Sequence, residues 1–118
     1  MKSEESILRI KSYDFAIKIV ELNKYLSQSH REYVLARQVL RSGTAVGALI
    51  REAEFGQSRA DFSSKLSIAL KEANETGYWL NLLKDTGYID EAKYFELAGL
   101  CRELVRMLVA TVKTTRKS

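Results

Sequence analysis

Residues 41–83, RSGTAVGALIREAEFGQSRADFSSKLSIALKEANETGYWLNLL, carry two long helical patterns back to back, with glycine and other small residues lining the first. Ala36, Leu40, Gly43, Gly47 and Ile50 recur at helical spacing and predict a helix over about Glu32 to Phe55. Gly56 is expected to end it in the left-handed conformation, which costs glycine nothing because it has no Cβ. Ser58 to Asp61 then reads as a capping box with Asp in place of Glu, opening a helix that runs to about Thr86, where Gly87 stops it. Phe62, Leu66, Ala69, Ala73, Thr76, Leu80 and Leu83 hold one stripe of that helix, a rod of roughly 40 Å. The stretch contains no histidine, no cysteine and no nucleophile beside a base, so it argues for architecture and names no chemistry.

Working outward, Phe15, Ile19, Leu22 and Leu26 share one face of a helix predicted over Tyr13 to Leu26, with Ser12 as its N-cap and residues 27–31 as the following turn. Asp90 begins a last helix in which Tyr94, Ala98, Cys101, Val105, Leu108 and Val112 form a stripe flanked by Leu97, Leu100 and Leu104. There is no proline in 118 residues, as long uninterrupted helices require. Four amphipathic helices joined by short turns predict an all-α protein, an antiparallel up-down-up-down four-helix bundle in a single domain over 1–118. Residues 1–11 and the basic tail 113–118 are expected to fray. Ala16, Ile17 and Val20 on the first helix, and Ile68, Leu70, Trp79 and Leu82 on the third, widen the apolar faces beyond one seam. That surplus predicts a subunit interface, since monomers rarely expose such patches.

The formal net charge is +4, from 19 basic and 15 acidic residues, which permits binding to nucleic acid or to an acidic protein without demanding either. Cys101 stands alone and cannot form an intrachain disulfide. No stretch reads as a signal peptide or a membrane span, so the cytoplasm is the expected compartment and no membrane partner is expected.

No catalytic, metal or cofactor site is expected. Gly43-x-x-x-Gly47 reads as close helix packing inside the bundle, and Cys101 as a small buried hydrophobe. His30 is the only histidine and falls in a turn, so the carboxylate-and-histidine ligand set of di-metal bundles cannot be assembled. It reads as a solvated residue, with no arginine at the spacing that helical ribonucleases use. Glu52, Glu72 and Glu75 read as salt-bridge partners rather than an acid–base pair, with Lys71 spaced to meet Glu75 along one helix. The sharper signal is Arg37, Arg41, Thr44, Ala48 and Arg51, whose spacing sets three guanidinium groups along one face, suited to phosphate oxygens. The competing reading pairs them with glutamates of the third helix or of a neighbouring subunit. Lys113, Arg116 and Lys117 form a second candidate contact.

The pieces Lys11-Ser-Tyr-Asp-Phe-Ala, Leu40-Arg-Ser-Gly-Thr, Ile50-Arg-Glu-Ala, Ser58-x-x-Asp-Phe, Leu70-Lys-Glu-Ala-Asn-Glu-Thr and Tyr78-Trp-Leu resemble the four helix bundle proteins, also called 23S ribosomal RNA intervening-sequence proteins. The likeness runs from about Ser12 to Thr115, and Leu49 stands where the family often has an asparagine. It implies a bundle assembled as a ring-like homopentamer, with no enzymatic activity. Through a related accessory protein of diversity-generating retroelements it implies RNA or DNA binding and, by analogy only, a reverse transcriptase partner. The function expected is therefore a non-enzymatic, self-associating bundle that binds nucleic acid through arginine and lysine. The alternative is an oligomeric protein–protein scaffold.

Overall fold

The computed structural model describes the backbone of residues 3–117 and the side chains of residues 7–116. Four helices account for it: α1 Ser3–Ser29, α2 Val34–Glu54, α3 Arg59–Asp85 and α4 Glu91–Lys117. Each packs on its neighbours in the chain, α1 closes the square through a thinner contact with α4, and the diagonal pairs do not meet. Cross-helix contacts fix the antiparallel register: Ile19 against Gly43 between α1 and α2, Ser42 against Thr76 between α2 and α3, Cys101 against Ala73 between α3 and α4, and Lys11 against Glu103 between α1 and α4. The up-down-up-down bundle is thus the observed architecture, 46 Å long and about 20 Å across, with extents of 46 × 21 × 19 Å.

The core is the set of stripes read from the sequence, with adjustments of azimuth. Phe15, Ile19, Leu22 and Leu26 of α1 and all of the α3 stripe except the half-buried Phe62 lie inside. On α2 the axis of burial runs through Val39, Val46 and Ala53, so Leu40 and Gly47 are only partly covered. On α4 Leu97 and Leu104 are buried, while Tyr94 and Val105 are half-buried. A hydroxyl pair sits in the core: the Thr76 and Ser42 hydroxyls are hydrogen bonded at 2.9 Å, and Thr76 Oγ1 also lies 2.8 Å from the Glu72 carbonyl of its own helix.

Both glycines of the Gly-x-x-x-Gly pair serve helix approach. A Cβ on Gly43 would stand 2.8 Å from Ile19 Cγ2, and one on Gly47 would stand 3.3 Å from the Ser12 carbonyl oxygen. The α3 start is as expected, with the Asp61 N–H donating to Ser58 Oγ at 3.0 Å. The Asp61 carboxylate accepts from the Gln57 N–H, one residue before the cap. At the other end Gly87 is left-handed, φ +83°, and Tyr88 and Gly87 donate to the Leu83 and Lys84 carbonyls in a Schellman arrangement.

Three expectations are corrected. First, α1 begins at Ser3, not Tyr13, and takes in most of the stretch expected to fray. Ser12 is no cap: it is buried in mid-helix and donates to the Arg9 carbonyl at 3.0 Å. The reason is that α1 is apolar on two faces. Leu8 and Phe15 point inward while Ile10 and Ile17 point outward, so no single period marks the first turns. Second, Gly56 is not left-handed. It is needed because a Cβ there would meet Asp61 Oδ2 at 3.0 Å and the Ala53 carbonyl at 3.1 Å. Third, residues 113–117 continue α4, with the Thr111, Thr114 and Thr115 hydroxyls donating to carbonyls four residues back.

Candidate nucleic-acid interface

Four of the 19 basic residues and none of the 15 acidic ones follow Glu103, so residues 1–103 balance at 15 of each and the whole formal excess of +4 lies in the last 15 residues. Because α4 is helical to Lys117, those charges are displayed on a rod rather than on a loose tail. Arg102, Arg106, Lys113 and Arg116 stand at i, i+4, i+11 and i+14, which brings them to one outward side of α4 over about 21 Å at 1.5 Å per residue. All four are exposed, and none forms an ion pair among the described residues. Lys117 lies outside the described side chains. At the tip Arg116 lines a shallow depression with Arg59 and the hydroxyl-bearing Ser63, Ser64 and Ser67.

The arginines of α2 repeat the same spacing at Arg37, Arg41 and Arg51, but the structure does not keep them equivalent. Arg41 is held by two carboxylates of α3, Glu72 at 3.2 Å and Glu75 through the other guanidinium nitrogen. The hydrogen bond to Glu75, with the nearby charges of both glutamates, raises the Arg41 pKa above its ordinary value. Glu75 in turn is held below the usual carboxylate range, first by the Trp79 indole N–H, at 2.9 Å, and then by Arg41. For Arg41 the competing reading, pairing with helix three, describes the geometry. Arg37 and Arg51 have no ionic partner among the described residues, and Arg51 opens into a groove between α1 and α2. Since α2 and α4 are diagonal in the square, the two basic lines lie on separate sides of the bundle.

Reading the sequence by its last six residues missed Arg102 and Arg106. The signal was present, since the α4 spacing matches that of α2 and Glu103 is the last acid of the chain.

The remaining candidates are occupied structurally. Glu52 pairs with Lys65 at 3.3 Å, and Glu75 faces Arg41 rather than Lys71, because the fork of an arginine across the helix interface outcompetes a lysine on the same helix. His30 is exposed but not merely solvated. It lies 2.9 Å from the Tyr25 hydroxyl and edge-on to both Tyr25 and Tyr88, bracing the α1–α2 turn. Cys101 is buried, donates to the Ala73 carbonyl at 3.1 Å, and has its pKa pushed up to about 11 by burial. No group of His, Cys, Asp or Glu among the described residues could hold a metal ion, and no described helix is long and apolar enough to cross a membrane.

A solved structure of a protein of unknown function from the S23 ribosomal protein family, from Bacteroides thetaiotaomicron, is 48% identical to the chain. The match covers 93% of this chain and 98% of that one at a TM-score of 0.92. No curated protein matches. The family model of the 23S rRNA-intervening sequence proteins matches residues 4–110. With that model matching nearly the whole chain, the chain belongs to the 23S rRNA-intervening sequence protein family.

Proposed function

We propose that the protein is a non-enzymatic bundle that binds nucleic acid through the outward line of α4, with Arg102, Arg106, Lys113 and Arg116 contacting phosphates. One observation carries the reading: the entire charge excess lies after Glu103 on α4, where no acid follows, and its Arg106, Lys113 and Arg116 continue the line begun by Arg102, all four exposed and without an ion pair among the described residues. Guanidinium and ammonium groups so displayed suit phosphate oxygens and carry no base information, so structured RNA and DNA are both suitable ligands. Arg37 and Arg51 on α2 are secondary contacts, and Arg41 is a structural member of the α2–α3 seam. The binding role is supported over a catalytic one by the carboxylates, since Glu52, Glu72 and Glu75 are all engaged by cations. The test is fluorescence anisotropy with a labelled RNA hairpin on the wild type, on R102Q/R106Q/K113Q/R116Q and on R37Q/R51Q. The α4 variant is expected to lose most of the affinity and the α2 variant less. Equal affinities in all three overturn the assignment.

Self-association belongs to the same proposal because Ile10, Ile17 and Val20 form an exposed stripe on α1 almost opposite its buried face. The cytoplasm remains the proposed compartment, and the homopentamer implied by the family resemblance the proposed stoichiometry. Light scattering decides it, with Ile10→Asp/Ile17→Asp expected to dissociate the assembly. A wild-type mass of about the 13.4 kDa of one chain contradicts it.

A further inference from the structure

The groove between α1 and α2 is left unused by the α4 line. It has a volume of about 1050 Å³ and lies at the end of the bundle where α2 finishes, α3 begins and α4 carries Lys113 and Arg116. Its floor is made of small residues, Ala16, Gly47 and Ala48, and at Gly47 the two backbones approach too closely for a Cβ to be accommodated freely. Along it stand two exposed rings, Phe55 at 80% and Tyr13 at 58% of their free surface. Phe55 is the most exposed large apolar side chain among the described residues, and it sits where α2 ends rather than under any packed neighbour.

The charges of the groove nearly cancel. Lys65 is matched by Glu52 at 3.3 Å and Arg9 by Glu54 at 3.8 Å. The Asp61 carboxylate accepts from the Gln57 N–H. Arg51 is the lining cation with no carboxylate partner among the described residues, and Asp61 the lining carboxylate with no cation partner, so the groove offers one guanidinium to an anion at the Arg51 side. Flat rings beside a free guanidinium suit a planar base linked to a phosphate.

We infer that the α1–α2 groove takes an unpaired nucleotide of the bound strand, its base stacked on Phe55 with Tyr13 on the α1 side, and its phosphate on Arg51. The inference rests on the nucleic-acid reading and makes it specific, because a base paired within a duplex has no free face to present to the ring. The class of ligand is therefore a nucleic acid with a single-stranded segment next to the part held by α4.

The experiment compares a labelled single-stranded RNA dodecamer with the same strand annealed to its complement, on the wild type and on Phe55→Ala, Phe55→Leu, Arg51→Gln and R102Q/R106Q/K113Q/R116Q. Phe55 is exposed, so its replacement leaves the core intact, and Phe55→Leu keeps the bulk while removing the ring. Both Phe55 variants are expected to weaken single-strand binding roughly 5- to 150-fold, the range for one lost stacked base, and to leave duplex binding unchanged. Arg51→Gln should weaken the single strand and lower its log–log salt slope by about 0.7. If the Phe55 variants bind the single strand as the wild type does while the α4 variant is impaired, the groove assignment is wrong and the broader reading stands. A wild type that binds neither probe at low salt overturns both. A change of molar mass in Phe55→Ala makes the ring a subunit contact and also overturns the groove assignment.

Discussion

Gly43→Ala and Gly77→Ala change the same residue type in the interior of two helices, and the structure predicts opposite signs for them. Replacing a mid-helix glycine by alanine favours the helix by roughly 1 kcal/mol, because the glycine backbone loses more freedom on folding. At Gly77 nothing lies within 4 Å of the added Cβ, so that gain should appear in full. At Gly43 the Cβ would stand 2.8 and 2.9 Å from the two γ carbons of Ile19 and 3.3 Å from its Cβ. Ile19 is fully buried and branched at Cβ, so neither γ carbon can swing clear without an off-rotamer χ1 or a shift of α1. Overpacking of this kind costs about 1–3 kcal/mol, which leaves Gly43→Ala between neutral and about 2 kcal/mol destabilising. The propensity gain is common to both sites, so the difference between the variants, about 1–3 kcal/mol, isolates the cost of crowding α1 against α2. Urea unfolding followed by circular dichroism, at one protein concentration because assembly would otherwise shift the midpoint, measures it. A cycle with Ile19→Ala adds a check, since the crowded γ carbons are then gone and Gly43→Ala should become favourable in that background. Equal stabilisation of both single variants in the wild-type background refutes the close approach.

Three further outcomes follow. Glu75 and Glu96 are both held below the usual carboxylate range, by Trp79 and Arg41 and by Lys93 and Lys18 respectively. A depressed folded-state pKa gives stability that is present above the unfolded value of about 4.5 and lost as pH falls through the folded one; the acid limb of a denaturation series should therefore be shallower in Glu75→Gln. Cys101, with its pKa near 11, should resist a thiol reagent at pH 8 until the bundle is unfolded, and rapid reaction of the folded protein contradicts its burial. Arg31 holds a left-handed backbone, φ +52°, in the α1–α2 turn, so Arg31→Gly should stabilise the protein by about 1 kcal/mol in the same urea assay.

Helix α3 and the second half of α1 were legible because their buried residues are an unbroken helical series, Phe15, Ile19, Leu22 and Leu26 on α1, so the period survives beside the exposed Ile17 and Val20. The start of α1 was not, because Ile7 and Ile10 face out while Leu8 faces in, and a helix apolar on both sides loses its contrast. The arginines show the corresponding limit for the site. Arg37, Arg41 and Arg51 are alike in sequence, yet Arg41 is neutralised by residues 31 and 34 positions away, a pairing set by the α2–α3 register and not by local spacing. Arg102 and Arg106 were readable from spacing, but their value as a continuous line depends on α4 staying helical beyond Val112.

The central claim is that the charge excess on α4 binds phosphates, and the dependence of affinity on salt measures it most directly. Four phosphate contacts per subunit predict a slope of log affinity against log salt of about −3 on a single-stranded segment and about −3.6 on duplex DNA, steeper where several subunits touch one ligand. In the folded R102Q/R106Q/K113Q/R116Q variant the slope should shrink by that amount together with the affinity, leaving only the smaller part due to Arg37 and Arg51. Binding whose salt slope is the same in the wild type and in this variant contradicts the account.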